Sequence, residues 1–410
     1  MKIRSITVFA PPTALSDRAQ LVALGNFVQA ARDAYDDAGF EVQTARLATN
    51  MFKGLDPSTS SVDMVDHVTE VERISRDLGF EYVALGPATR RTQRWIPDLL
   101  AATESVFATA HIVSPQTGAV DGEAIRNAAY VIGKAADLEE GFGNLRFAAL
   151  ANVPEGTPFF PGAYWTQAQP AFGIATQSAD LAVDACRDAG DAAEAHTLLV
   201  QAVEAHGRRI EATAQGLEAA HGLAFAGTDF SLAPFPGESC SIGGALERLS
   251  GKTLGSAGTL TAAAILADAL QRAAFRHAGF CGVMMPVLED SVLAQRAAEG
   301  RLNTGELLQW SAVCGTGLDT VPLPGNATEG ALRRLLFDVA ALSARLSKPL
   351  TARLMPLPGK SAGDPVHFDF PYFADGGVLA LDGEPGDSLL LKTEWLPLHD
   401  RRSTPTASGA

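Results

Sequence analysis

The sequence predicts an α/β fold with a largely parallel sheet, and three observations carry that expectation. Short apolar runs and longer amphipathic stretches alternate from the first residues onward, which is the rhythm of βα units. The run Val283–Leu288 is continuously apolar, as in a strand sealed on both faces. With 410 residues, 47% of them apolar and 19% charged, the chain has ample material for a core.

Taken in order, Ile3–Phe9 reads as a strand closed by Pro11 and Pro12. Ser16 is placed to cap a helix whose apolar positions Leu21, Leu24, Val28, Ala31 and Tyr35 fall at helical spacing before Gly39. A strand at Phe40–Leu47 and a helix from Ser61 to Leu78 follow, then the strand E-Y-V-A-L-G beginning at Glu81. Further strands are expected at Val106–Val113 and Leu145–Leu150, with a helix at Asp121–Leu138 between them. Ser178 to Leu223 reads as helical with a break near Gly190, and Leu223–Gly227 as a strand running into D-F-S-L-A-P. Helices are then expected at Ile242–Leu249, Thr259–His277, Thr304–Val313 and Thr328–Leu346, and a strand at Leu350–Leu354. The segment H-F-D-F-P-Y-F-A-D-G-G-V-L-A-L from His367 is expected to be β, and the residues from Ser403 to form a frayed tail. No internal repeat or linker interrupts the chain, so one domain over residues 1–382 with a C-terminal extension at 383–410 is the simplest division.

A net charge of −15 argues against nucleic-acid or anionic-membrane partners, which need a basic face. The start M-K-I-R-S-I-T-V-F lacks the apolar centre of a signal peptide, and no apolar run reaches the ~18 residues of a membrane span. A cytoplasmic protein with a small-molecule ligand is expected, and self-association is left open. Cys186, Cys240, Cys281 and Cys314 show no C-x-x-C spacing, and no disulfide is expected among so few.

The candidate chemistry lies mainly between Cys281 and Gly325. Glu289, Asp290, Asp319 and, farther upstream, Asp229 each adjoin an apolar strand and a turn. Carboxylates converging there repel unless a cation or shared proton relieves them, and oxygen-rich clusters suit Mg²⁺, Ca²⁺ or Mn²⁺. The competing reading is helix capping, for which Asp290 or Ser291 is well placed. Cys314, between a helical stretch and G-T-G, and Cys240, at a loop-to-helix junction, are the candidate nucleophiles, against the alternative of inert buried thiols. The glycine-rich G-S-A-G-T-L ending in a helix start at Gly258 could hold an anion, but it lacks the G-K-[ST] ending of a phosphate loop.

A set of ordered motifs adds a resemblance. E-Y-V-A-L-G-P, T-E-S-V-F-A, G-F-G-N-L-R-F-A-A-L-A-N-V, F-F-P-G-A-Y, D-F-S-L-A-P, P-V-L-E-D-S, C-G-T-G-L-D-T-V-P-L-P-G and M-P-L-P-G-K-S-A-G-D occur in that order. The chain resembles the family of domain of unknown function 711, also called uncharacterised protein family 0210, from Ile3 to about Leu381. The resemblance implies a closed ten-stranded α/β barrel like that of the glycyl-radical enzymes (pyruvate formate-lyase-like), with two parallel halves running antiparallel to each other. It implies no settled activity. In such a barrel Asp319, opening its strand, can approach Glu289, closing its own. The late glycine pair Gly376–Gly377 lacks the preceding Arg of a glycyl-radical loop, so no glycyl radical is expected. Asn326 stands where relatives carry Asp, which leaves it a carbonyl donor.

The combined expectation is an enzyme acting on a small polar metabolite in a barrel cavity. Its divalent cation would be bound by Glu289, Asp290, Asp319 and Asp229, with Cys314 or Cys240, Glu289 and Asp319 as catalytic groups. The alternative is a non-catalytic ligand-binding or regulatory protein on the same barrel.

Overall fold

The computed structural model describes residues 1–381, 388–398 and 400; the expected tail from Ser403 lies outside them. Nine strands form one sheet: β1 (Lys2–Phe9), β2 (Val42–Ala48), β3 (Tyr82–Ala88), β4 (Val106–His111), β5 (Phe147–Ala151), β6 (Ala171–Gln177), β7 (Ala224–Asp229), β8 (Gly317–Pro324) and β9 (Leu350–Leu357). Their order is β7-β6-β1-β2-β3-β4-β5-β9-β8. Strands β1 to β5 are mutually parallel. At the two flanks the direction reverses: β6 is antiparallel to β1 and parallel to β7, while β9 is antiparallel to β5 and parallel to β8.

The helices form where the sequence supplies caps. Asp17, not Ser16, accepts from the backbone N–H groups of Ala19 and Gln20 and opens the helix Arg18–Asp37. Ser60 and Asp63 form a reciprocal capping box for Ser61–Asp77, and Gly222 in the left-handed region ends Ala192–His221. Alternation along the strands gives the sheet two faces. Val8, Leu47, Val83 and Leu85 join the helix side chains Phe27, Val28 and Val68 in the main core. Phe9, Ala48, Ala84 and Phe107 point the other way, onto Phe160 and Ala163. Fully burying a side chain as large as Phe9 contributes about 1.5–3 kcal/mol.

Four elements differ from expectation. Val283–Leu288 makes single bridges rather than a ladder: Val283 pairs with Leu232, just past β7, and Pro286 with Asp319 in β8, both in parallel sense. Pro286, within this run, has no N–H to donate to a ladder. The expected helix Thr259–His277 stops at Arg272. The aromatic segment from His367 forms only the two-residue strand Gly376–Gly377, paired with Pro365–Val366. Strand β6, A-F-G-I-A-T-Q, carries too few β-branched residues to stand out in the sequence. No helix among the described residues is long and apolar enough to cross a membrane.

Candidate functional site

On the face of the sheet away from the main core lies a cavity of about 900 Å³, part of it open to solvent. Side chains from the central strands and from one flank of the sheet line it. Arg4 comes from β1, Thr44 and Arg46 from β2, Tyr82 from β3, Asp319 from β8, and Thr351 and Arg353 from β9. Glu289 enters from the bridge segment, and Phe160 and Tyr372 close two sides.

Two irregularities in the ladder place the charged groups. Between β1 and β6, Ile3 pairs with Thr176 and Ser5 with Ala175, so Arg4 is an extra residue with no partner in β6. Between β9 and β8, Ala352 pairs with Leu318 and Leu354 with Val321, so Asp319 and Thr320 together face Arg353. Thr320 takes up the extra length at φ 41°. Bulges of this kind re-aim side chains beside functional sites.

Arg353 is the hub. Its Nε donates to Asp319 Oδ1 at 2.6 Å and its Nη2 to Glu289 Oε1 at 2.7 Å. Arg4 donates to the other oxygen of Glu289 and, at 3.3 Å, to the carbonyl of Pro234. Arg353 and Glu289 are nearly inaccessible, with side chains 7% and 6% exposed. Burial alone would push Glu289 up, yet Arg4 and Arg353 hold it below the ordinary carboxylate value. Asp319 moves the opposite way: burial raises it, Arg353 opposes, and the neighbouring Glu289 charge raises it further. The two neighbouring carboxyls are thereby shifted in opposite directions.

Arg46 has a different environment. It is 7% exposed, and among the described residues its one hydrogen bond runs from Nε to Thr44 Oγ1 at 2.9 Å. Its guanidinium lies over the rings of Phe160 at 5.1 Å and Tyr82 at 5.5 Å. Burial, and then the nearby Arg4, push its pKa down to about 10. Three arginines thus meet two carboxylates in one buried space, and no described carboxylate is paired with Arg46.

Of the expected site residues, Glu289 and Asp319 do come together, with Arg353 between them. The others lie elsewhere. Asp229 accepts four hydrogen bonds, from the N–H and hydroxyl of Ser231 and the N–H groups of Phe280 and Cys281, and clasps two loops. Asp290 also accepts four, from Ser241 Oγ, Gly243, Val292 and Leu293, as the cap of the helix Ser291–Ala298. Both are saturated by donors and sit outside the cavity lining. Among the described residues no three His, Cys, Asp or Glu side chains gather as metal ligands.

Neither candidate thiol lines the cavity. Cys314 is 1% exposed within the main core. Cys240 is half-buried and receives Gln177 Nε2 at 3.7 Å; burial, with the Asp180 charge, pushes its pKa up, away from thiolate character. Gly377 is held for packing reasons, since a Cβ there would lie 2.6 Å from Ala298 Cα.

The residues absent from the expectation are the arginines and their ring partners. A signal for them exists: T-A-R-L occurs twice, at Thr44–Leu47 and at Thr351–Leu354, each time as a lone Arg inside an apolar strand. Both Thr–Arg pairs line the cavity, one from the central strand β2 and one from β9 at a flank.

Comparison with known proteins gives a consistent family. The chain is 30% identical over 344 residues to a UPF0210 protein of Pyrobaculum aerophilum, covering 80% of this chain and 76% of that one. It is 29% identical over 384 residues to a UPF0210 protein of Pyrobaculum islandicum, covering 89% and 82%. A UPF0210 protein of Lacticaseibacillus casei is 28% identical over 360 residues, covering 84% and 78%. The family model described as Uncharacterised ACR (DUF711) matches residues 1–372, and the chain belongs to that family.

Proposed function

We propose that the chain is an enzyme that binds a small organic anion inside a sheet closed on itself, with Arg46 as the anion anchor and Asp319 as the proton-transfer group. Closure is supported by the bridge segment. Leu232 donates to Gly282 O at 2.9 Å on one side, and Val287 donates to Asp319 O at 3.1 Å on the other. Counting 282–287 as the tenth strand joins the edges β7 and β8 and makes a second parallel half with β6 and β9. The barrel interior is then the cavity.

The observation that carries the ligand reading is the unpaired Arg46. Glu289 acts on this guanidinium only at longer range, and a buried guanidinium without a directly paired carboxylate is costly to desolvate. A carboxylate or phosphate of the ligand offsets that cost, with the Tyr82 and Phe160 rings fixing its approach. Aromatic and apolar walls from Phe107, Phe159 and Met284 suit a compact carbon skeleton. Asp319, raised in pKa by burial and oriented by Arg353, is the group that gives or takes a proton in this reading, while Glu289 is held below the ordinary carboxylate range and fixes the arginines.

A divalent cation on Glu289 and Asp319 is the second reading, favoured by their convergence. It must displace Arg353 from both carboxylates, so the anion reading is preferred.

The test is thermal denaturation and titration calorimetry with small carboxylates and inorganic phosphate, each against its neutral amide or alcohol analogue. A ligand at a hundredfold excess over its dissociation constant should raise stability by about 2.7 kcal/mol. Arg46→Gln should lose the response to anions, and Asp319→Asn should keep binding while losing turnover. An equal response of Arg46→Gln, or stabilisation by the neutral analogues alone, overturns the reading.

A further inference from the structure

Most polar groups in the wall of the arginine-lined cavity are already committed to other protein groups. Arg353 and Arg4 direct their donors to Asp319, Glu289 and the carbonyl of Pro234. The hydroxyls of Thr44, Thr316 and Thr351 donate to the backbone carbonyls of Arg4, Val283 and Thr316 at 2.7, 3.3 and 2.9 Å. Gln43 Nε2 donates to Gln177 Oε1 at 2.6 Å. Arg46 is the exception. Its one hydrogen bond among the described residues uses Nε, which leaves Nη1 and Nη2 as a pair of donors. Neither belongs to the sealed, unpaired polar atoms of the interior, so a ligand in the cavity can reach them. Such a pair matches one carboxylate in the bidentate manner.

Elsewhere the wall is built of rings and a thioether. Phe107 stands edge-on to Tyr82 at 5.3 Å and to Phe160 at 5.5 Å, with interplanar angles of 78° and 70°. Phe159, Phe280 and Met284 line the same space. The rings of Tyr82 and Tyr372 lie 5.5 Å from the Arg46 guanidinium and 6.0 Å from that of Arg4, so their hydroxyls belong to rings gathered around the charge. The cavity offers one point for a negative group and aromatic surface for the remainder of the ligand.

We propose that the ligand is a monocarboxylate with an aromatic or similarly flat apolar body, and that polyanions and hydroxy acids are rejected. This rests on the anion reading above and names the class of anion. A second negative group would find no free guanidinium, because Arg4 and Arg353 already hold carboxylates, and it would meet Glu289 and Asp319 as like charges. A ligand hydroxyl set against Phe107, Phe159, Phe280 or Met284 gives up its water and gains no partner. A flat ring instead meets neighbours already arranged edge to face, and the Met284 sulfur suits the edge of a ring.

The experiment is titration calorimetry of the full chain with benzoate, phenylacetate, lactate, succinate and inorganic phosphate, with benzamide as the neutral partner of benzoate. Benzoate or phenylacetate should bind at least about tenfold more tightly than lactate, succinate or phosphate. Arg46→Gln should lose the ring acids. Phe280→Ala, which trims a half-buried ring from the wall, should lose most of the preference for ring acids and leave lactate unchanged. If that variant does not fold, the wild-type series decides alone. Lactate, succinate or phosphate binding as tightly as the ring acids, and through Arg46, overturns this inference while the anion reading stands. Benzamide binding as tightly as benzoate, in wild type and in Arg46→Gln alike, overturns both. Failure of every ring acid to bind also overturns the inference, and binding of the other anions then tells whether the anion reading survives.

Discussion

Asp319 and Arg353 face each other across a β-bulge, Oδ1 to Nε at 2.6 Å, with the extra residue on the strand of the acid. The pairing makes the interior charges mutually dependent, since Arg353 also holds Glu289.

Arg353→Met should therefore destabilise the chain by about 3–5 kcal/mol, by stranding buried Asp319 and leaving Glu289 with Arg4 alone. Adding Glu289→Gln and Asp319→Asn to it should recover most of the loss. Chemical denaturation of the single and triple variants checks this. A triple variant no more stable than Arg353→Met would assign the cost to lost packing instead.

Stability near pH 5 should depend on Asp229. Burial raises its pKa from 3.8 to about 6, against the hydrogen bonds of Ser231, Phe280 and Cys281. The folded chain therefore holds this proton more tightly than the unfolded one. Its stabilising contribution is complete below the unfolded value and is lost as pH rises through about 6, a change of about 3 kcal/mol at 1.4 kcal/mol per pH unit. Asp229→Asn should flatten the stability profile between about pH 4 and 6 relative to wild type. A wild-type slope retained in the variant would place the titration at other groups.

Chelator and divalent ions discriminate the two readings of the arginine-lined cavity. With Glu289 and Asp319 both held by Arg353, the melting temperature should be the same with chelator, Mg²⁺, Ca²⁺ or Mn²⁺. A rise on adding one of these ions that Glu289→Gln abolishes would restore the cation.

All four cysteines are free. Unfolded, non-reduced protein should give four thiols with an aromatic disulfide reagent. Folded protein should react slowly and first at half-buried Cys240. Cys186, pushed up to about 11 by burial, and Cys281, also raised by burial and by Asp229, should stay protected. Prompt labelling of Cys314 in the folded state would contradict its place in the core.

The strands β1 to β5 were legible because apolar runs are local features of sequence, whereas the approach of Glu289 to Asp319 followed from the family resemblance. Asp229 and Asp290 look identical to them in the sequence. Only tertiary donors, Ser231 and Phe280 for one and Ser241 and Gly243 for the other, decide that these two acids are structural. The arginines were hidden for a different reason. Arg in a strand is ordinarily a solvent-facing residue, and inward placement of Arg4 and Arg353 depends on ladder irregularities that composition does not mark. The bridge segment at 282–287 pairs one residue at a time, so it offered an apolar run without a ladder.

Three guanidiniums against two carboxylates, inside a chain of net charge −15, set opposing fields at different ranges. An approaching anion is repelled by the molecule as a whole and attracted only once it is close to Arg46. Salt at physiological strength screens beyond about 8 Å, so it weakens the distant repulsion far more than the buried attraction. Capture of an anion should then quicken as ionic strength rises, with escape from the interior little changed, the reverse of what a basic protein surface produces.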